Sequence, residues 1–141
     1  MQYSSSVDIA QPQEVVRPYI ESLTQYPKWM PLVHSVQEID ANTWMVELRA
    51  KVGPLARSKR LRMTRTIHSA DHVRFERDEN DGRKHSPWQL DAKIQNNGGG
   101  CTVVMQLKYG GTLWTGGVLD KVLASQVDAG KKGLVSLVHG A

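Results

Sequence analysis

Apolar and polar residues alternate with a period of two through most of the chain. In six segments between residues 33 and 111, apolar side chains fall on one side, as in strands that bury one face. These predicted strands cover residues 33–39, 43–52, 59–68, 72–77, 86–95 and 101–111. Residues 2–10 alternate in the same way and form a first strand. The short connections between successive strands favour one antiparallel sheet of seven strands.

Helical patterns occur at two places. Between the first two strands, two short helices are predicted, the first beginning near Pro12, which suits a first helical position. Pro18 should end or kink this helix early, and the second helix covers residues 23–29. Residues 115–138 form one long amphipathic helix, the one element long enough to cover the apolar face of the sheet. The pattern therefore predicts an α+β fold.

The buried face of the long helix contains two glycines. Gly130 and Gly133 lie near the middle of that face, although an interior glycine costs about 1 kcal/mol relative to alanine. The same face carries Leu119, Leu123, Gln126, Val127, Leu134 and Leu137. Three explanations are open: close packing of the helix backbone on its neighbours, space that a ligand occupies, or a bend or break near Gly130.

Composition narrows the class of protein. The chain has 141 residues, of which 40% are hydrophobic and 23% charged, with a formal net charge of +4. We expect a single folded domain over residues 1–141. No apolar run approaches the roughly 20 residues that span a bilayer, and no secretory leader is recognisable. With one cysteine, the sequence favours the cytoplasm and predicts no stable membrane insertion.

Two stretches carry a resemblance to a known family. They are VDIAQPQEVVRPYIESLTQYPKWMPLV, residues 7–33, and GGGCTVVMQLKYGG, residues 98–111. With the order of elements, they resemble the START-like (SRPBCC) superfamily, which includes polyketide cyclase/dehydrase and birch-pollen-allergen-like proteins. The resemblance implies a helix-grip fold, in which a curved sheet wraps around the C-terminal helix. It also implies a deep apolar cavity between them for lipids, sterols or polyketides.

The inward positions of the strands and of the long helix are the candidate wall of that cavity. They are Trp44, Val46, Met63, Phe75, Trp88, Leu90, Met105, Leu123, Val127 and Leu134. Tyr109 also lies on the inward face and adds a hydroxyl group. Aromatic side chains with one polar group suit a wall that holds and orients an apolar ligand, although such residues are more often plain core.

Arg65 is the charged residue with the clearest alternatives. It shares the register of Leu61, Met63 and Ile67, so strict alternation points it at the apolar side. A buried guanidinium needs a partner, which Glu38 or a ligand carboxylate would supply. A β-bulge, or a position at the rim of the sheet, would instead take Arg65 out of the interior.

Other residues suggest an entrance to the cavity. The predicted loop GPLARS, residues 53–58, forms a candidate lid together with residues 30–32, and Trp114 is placed to help close the mouth. The five histidines show no metal-ligand spacing, and the sequence predicts no metal and no cofactor. Cys101 has no obvious base beside it and suits a small core residue.

The basic run RSKRLRMTR, residues 57–65, fits a solvated sheet face better than a nucleic-acid site, because exposed aromatic residues are not interleaved with it. The leading hypothesis is binding or transport of a hydrophobic small molecule, such as a lipid or polyketide. A cyclase/dehydrase-type enzyme, in which Arg65, Tyr109 or a histidine steers proton transfer, is one alternative. A protein-interaction module with a closed cavity is the other. The sequence leaves open whether the protein is an enzyme.

Overall fold

The computed structural model describes residues 2–52, 55–110 and 117–139, with side chains described throughout except at residues 52, 55–57 and 117–124. These described residues form seven strands, two α-helices and one 3-10 helix. In chain order they are β1 Gln2–Ile9, α1 Gln13–Ile20, the 3-10 helix Leu23–Lys28, β2 Val33–Asp40, β3 Thr43–Val52, β4 Leu55–His68, β5 His72–Arg77, β6 Trp88–Asn97, β7 Gly100–Tyr109 and α2 Gly117–His139.

The seven strands form one antiparallel sheet in the order β1-β7-β6-β5-β4-β3-β2. Strands β2 to β7 follow one another as neighbours, and β1 closes the sheet on the outer side of β7. Alternate residues of β7 are buried, as the period of two predicts. The predicted α+β helix-grip architecture is confirmed.

The region between the first two strands differs from its prediction in detail. Pro12 caps α1 instead of occupying its first helical position. Pro18 lies inside the helix, which ends at Ile20 after eight residues, in keeping with the expected early end. The 3-10 helix follows, and its Ser22 cap accepts a hydrogen bond from the Thr24 N–H group.

The two ends of the concave sheet face are packed differently. At the end where β2 turns into β3, which we call the aromatic end, Trp44 and Phe75 meet edge to face with their ring centroids 5.6 Å apart. Tyr26 of the 3-10 helix adds a second edge-to-face contact to Phe75, at 5.7 Å. All three side chains are fully buried. We call the opposite end, where β3 turns into β4, the cavity end.

Close packing explains one of the two helix glycines. A Cβ atom on Gly133 would lie 2.4 Å from the backbone oxygen of Trp29, so this position admits no side chain unless the backbone shifts. A Cβ atom on Gly130 would lie 3.6 Å from the Met30 side chain, which is an ordinary contact. Helix α2 runs unbroken through both glycines, so the predicted alternative of a break near Gly130 is wrong.

Candidate binding cavity

A partly open cavity of about 50 Å³ lies at the cavity end of the sheet, against α2. Its surface is almost entirely apolar. The described residues that line it are Tyr3, Leu23, Met30, Leu32, Val33, Val46, Leu48, Leu61, Met63, Trp88, Leu90, Met105, Leu107 and Val127. The strands contribute most of this wall, and the segment after the 3-10 helix closes one side of it.

Six of the residues predicted for the wall line this cavity: Val46, Met63, Trp88, Leu90, Met105 and Val127. Four of the wall residues absent from that prediction, Tyr3, Leu48, Leu61 and Leu107, occupy inward strand positions. Alternation alone had placed these side chains on the correct face. Alternation does not give the register of the strands, and the register decides which end of each strand faces the cavity.

Other predicted wall residues lie elsewhere in the structure. Trp44 and Phe75 fill the aromatic end, and Leu134 is fully buried in the core. Tyr109 stacks on Trp88 with ring centroids 5.2 Å apart and is not among the described lining residues. The side chain of Leu123 falls outside the part of the chain that the structure describes, as does Trp114.

Arg65 lies at the rim of the aromatic end, away from the cavity. The pairing of β4 with β5 shifts register just after Arg65, which is the bulge alternative. Its guanidinium lies over the Trp44 ring, 5.3 Å from the centroid, and donates hydrogen bonds to the carbonyl oxygens of Glu21 and Ala41 and to Asn42 Oδ1. Arg65 therefore ties the C-terminal end of α1 to the β2–β3 turn, and its partners among the described residues do not include Glu38.

The predicted lid is also corrected. Leu55 to Ser58 belong to β4 and pair with β3, from Val52 opposite Leu55 to Arg49 opposite Ser58. Most of the supposed loop is therefore strand, because the β3–β4 hairpin is longer than its turn residues suggest. Gly53 and Pro54 fall outside the described residues.

The wall residue Trp88 has a buried indole donor, Nε1, without a hydrogen-bond partner within the described ranges. The same holds for the buried acceptor Oε1 of Gln126 on α2, which does not itself line the cavity. A buried polar atom without a partner costs about 1–3 kcal/mol. Cavities that bind small molecules commonly combine apolar walls with a few such groups, which orient the ligand.

A partly buried ion pair borders the cavity end. Arg77 lies opposite the wall residue Met63, and its Nε donates to Glu79 Oε1 at 3.0 Å. Burial raises the pKa of Glu79, but hydrogen bonds from the Arg62 N–H group and from Arg77 outweigh it, so the pKa lies below its usual value. The Arg77 guanidinium also donates to the Ser86 carbonyl oxygen, 3.2 Å away. This pair is held in place from two sides.

A second polar cluster occupies the outer face of the sheet. The Asp91 carboxylate, only 2% exposed, accepts hydrogen bonds from Arg74 Nε at 2.8 Å and Gln89 Nε2 at 2.8 Å, and it lies 2.6 Å from His72 Nε2. Burial raises the pKa of Asp91, but the bonds from Gln89, Arg74 and His72 together lower it below its usual value. This cluster is separated from the cavity by the sheet and serves to join β5 to β6.

Reactive groups are sparse in the described part of the chain. No cluster of three or more histidine, cysteine or acidic side chains within it could hold a metal ion. Cys101 is buried, and burial together with the nearby Glu14 carboxylate raises its thiol pKa, which disfavours the nucleophilic thiolate. In the described ranges, none of the helices is both long enough and apolar enough to cross a membrane.

The sequence of residues 1–139 matches the family described as polyketide cyclase/dehydrase and lipid transport. The chain belongs to this family. No curated protein matches the chain by sequence.

Solved structures share the fold at low sequence identity. A START superfamily protein from Mycobacterium smegmatis superposes with a TM-score of 0.76 at 13% identity, over 99% of this chain and 97% of that one. A conserved protein from Geobacillus kaustophilus gives 0.77 at 13% identity, over 99% and 96%. The Zhui aromatase/cyclase from Streptomyces sp. R1128 gives 0.67 at 12% identity, over 99% and 93%. At these identities the likeness shows the fold alone.

Proposed function

We propose that the protein binds a hydrophobic small molecule, without chemistry, in the cavity between the sheet and α2. The main support for this proposal is the almost purely apolar cavity on the concave face. Burial of apolar ligand surface would drive binding, at about 25 cal/mol per Å² before the costs of association.

The wall favours a binding protein over an enzyme. Among the described lining residues, none carries a carboxylate, imidazole, ammonium or guanidinium group, and the phenol of Tyr3 is the one titratable side chain. Proton transfer in a cyclisation or dehydration would require an acid or base within hydrogen-bond reach of the substrate. Arg65, one of the residues that the sequence offered for that role, donates hydrogen bonds to backbone carbonyl oxygens at the other end of the sheet.

The cavity must widen when a ligand enters. Its volume of about 50 Å³ is well below the roughly 300–1,000 Å³ typical of ligand pockets. Three of its wall residues are methionines, Met30, Met63 and Met105. Methionine has three rotatable side-chain bonds and adapts to irregular space, so these side chains are the part of the wall that moves most readily. The aromatic end, by contrast, is filled by interlocked rings and stays closed.

Trp88 would orient the ligand. Trp88 lines the cavity, and its indole N–H group has no partner among the described residues. A ligand oxygen that accepts a hydrogen bond from this group would remove the free-energy cost of leaving it unpaired. An apolar molecule with a carbonyl or hydroxyl oxygen therefore fits better than a pure hydrocarbon.

Calorimetric titration with decanol tests the proposal. Val127→Phe places a ring in the cavity from α2 and should weaken decanol binding at least tenfold. Val15→Phe adds the same ring at a position 37% exposed on α1 and should leave binding unchanged. Failure of the wild-type protein to bind decanol, or equal binding by Val127→Phe, would refute the cavity as the site. Native mass spectrometry of freshly purified protein would then identify any retained natural ligand.

A further inference from the structure

A lysine lies on the concave face beside the cavity. Lys59 of β4 pairs with Leu48 of β3, and directly paired residues of an antiparallel sheet point to the same side. Leu48 and Leu61, two residues further along β4, both line the cavity. Lys59 is partly exposed and does not itself line the cavity. A lysine beside an apolar wall can lay its aliphatic stem along that wall while its ammonium stays in water.

Glu79, the carboxylate whose charge acts on Lys59, is already hydrogen-bonded to other residues. Glu79 accepts hydrogen bonds from Arg77 Nε at 3.0 Å and from the Arg62 N–H group at 3.1 Å. Across the described residues, no carboxylate lies within the 4.0 Å of an ion pair from Lys59. Burial lowers the pKa of Lys59, repulsion from Arg77 lowers it further, and Glu79 offsets only part of this. The surroundings of Lys59 therefore disfavour its charged ammonium form, and an anion bound beside it would stabilise that charge.

Other cations near the concave side have partners. Arg65 donates to carbonyl oxygens, Arg77 pairs with Glu79, and Lys131 donates to Ser5 Oγ at 2.9 Å. Lys59 differs from these three because its charge is unmatched and because it borders the cavity wall.

We infer that the ligand is an amphiphile with one anionic head group, which pairs with Lys59 at the rim while its apolar tail occupies the cavity. This inference rests on the proposed function. An ammonium binds a carboxylate or a phosphate through short, charge-assisted hydrogen bonds, and both head groups share the chemistry required here. The head stays at the rim and keeps part of its hydration, so only the tail has to be buried.

Calorimetric titrations with three ten-carbon ligands test this inference: decanol, decanoate and decyl phosphate. The wild-type protein should bind at least one of the two anions about tenfold more tightly than decanol, the size of one charge-assisted bond. The better anion identifies the head group as carboxylate or phosphate. Lys59→Met, which keeps the length of the stem, should abolish this preference, so that neither anion binds more tightly than decanol binds to the same variant.

Lys93→Met is the matched control, because it removes the same charge from an exposed position on the outer face of β6 and should keep the preference. Anions that bind no more tightly than decanol, or an equal loss of preference in both variants, would overturn the inference. Decanol binding that persists in that case would leave the proposed function intact. If none of the three ligands binds the wild-type protein, the proposed function itself fails.

Discussion

Gly133 and Gly130 lie three residues apart on α2. We expect the same added methyl group to change the free energy of unfolding in opposite directions at these two positions. At Gly133 a Cβ atom would lie 2.4 Å from the Trp29 oxygen, 3.2 Å from its carbonyl carbon and 3.3 Å from its Cα. These are backbone atoms, and the Trp29 segment is held by hydrogen bonds from its indole to Tyr19 and from its N–H group to Tyr26. Helix and segment must therefore separate by roughly 1 Å to reach normal contact.

The magnitudes follow from two opposing effects. Overpacking costs about 1–3 kcal/mol, and contact with fixed backbone puts Gly133→Ala near the upper value. Replacing a helix-interior glycine by alanine returns about 1 kcal/mol. We therefore expect Gly133→Ala to lower the free energy of unfolding by about 2 kcal/mol. Gly130→Ala meets Met30 at 3.6 Å and should raise it by about 1 kcal/mol.

Urea unfolding followed by far-ultraviolet circular dichroism measures both changes. The two variants add the same atoms to one helix, so each controls for the other. If Gly133→Ala were as stable as the wild-type protein, the close approach of α2 to Trp29 would not exist, and the packing explanation for this glycine would be refuted.

Three further predictions concern groups away from the cavity. Asp91→Asn should lower the free energy of unfolding by about 2–4 kcal/mol at pH 7. The pKa of Asp91 is lower in the folded protein than in the unfolded chain. Its contribution to the free energy of unfolding is therefore complete above the unfolded-state pKa of about 3.9 and is lost as the pH falls through the folded-state pKa. Urea unfolding curves of the variant and the wild type should converge in acid. Arg65→Met should cost about 1–3 kcal/mol in the same assay yet leave decanol affinity unchanged, and altered affinity would contradict its placement. Cys101 should react with a thiol reagent only on unfolding, and rapid labelling of the native protein would show that it is accessible.

The sequence predicted the order of elements and the inward face of each strand, because both depend on local periodicity. It could not show which half of the concave face is hollow. That depends on the register and on where the 3-10 helix inserts Tyr26, a contact between residues far apart in the chain. As a result, Trp44 and Phe75 were expected in the wall although they fill the aromatic end, while Leu48 and Leu61 were missed.

Charged residues on inward positions were equally ambiguous. Arg65 and Lys59 occupy the same kind of alternating position in β4, but a register shift and three carbonyl or amide oxygens hold Arg65 at the rim of the aromatic end. Lys59 lies in a basic run that suggested a solvated face, and only its pairing with Leu48 places it beside the cavity.

Methionine methyl groups offer the most direct test of the binding cavity. Met30, Met63 and Met105 line it, whereas Met45 pairs with Gln37 and Arg62 and points to the outer face of the same sheet. In a decanol titration of protein with ¹³C-labelled methionine methyl groups, we expect saturable shifts of the three wall signals and a constant Met45 signal. Unchanged wall signals at saturating decanol, or a Met45 signal that moves as much as they do, would contradict a ligand-binding cavity between the sheet and α2.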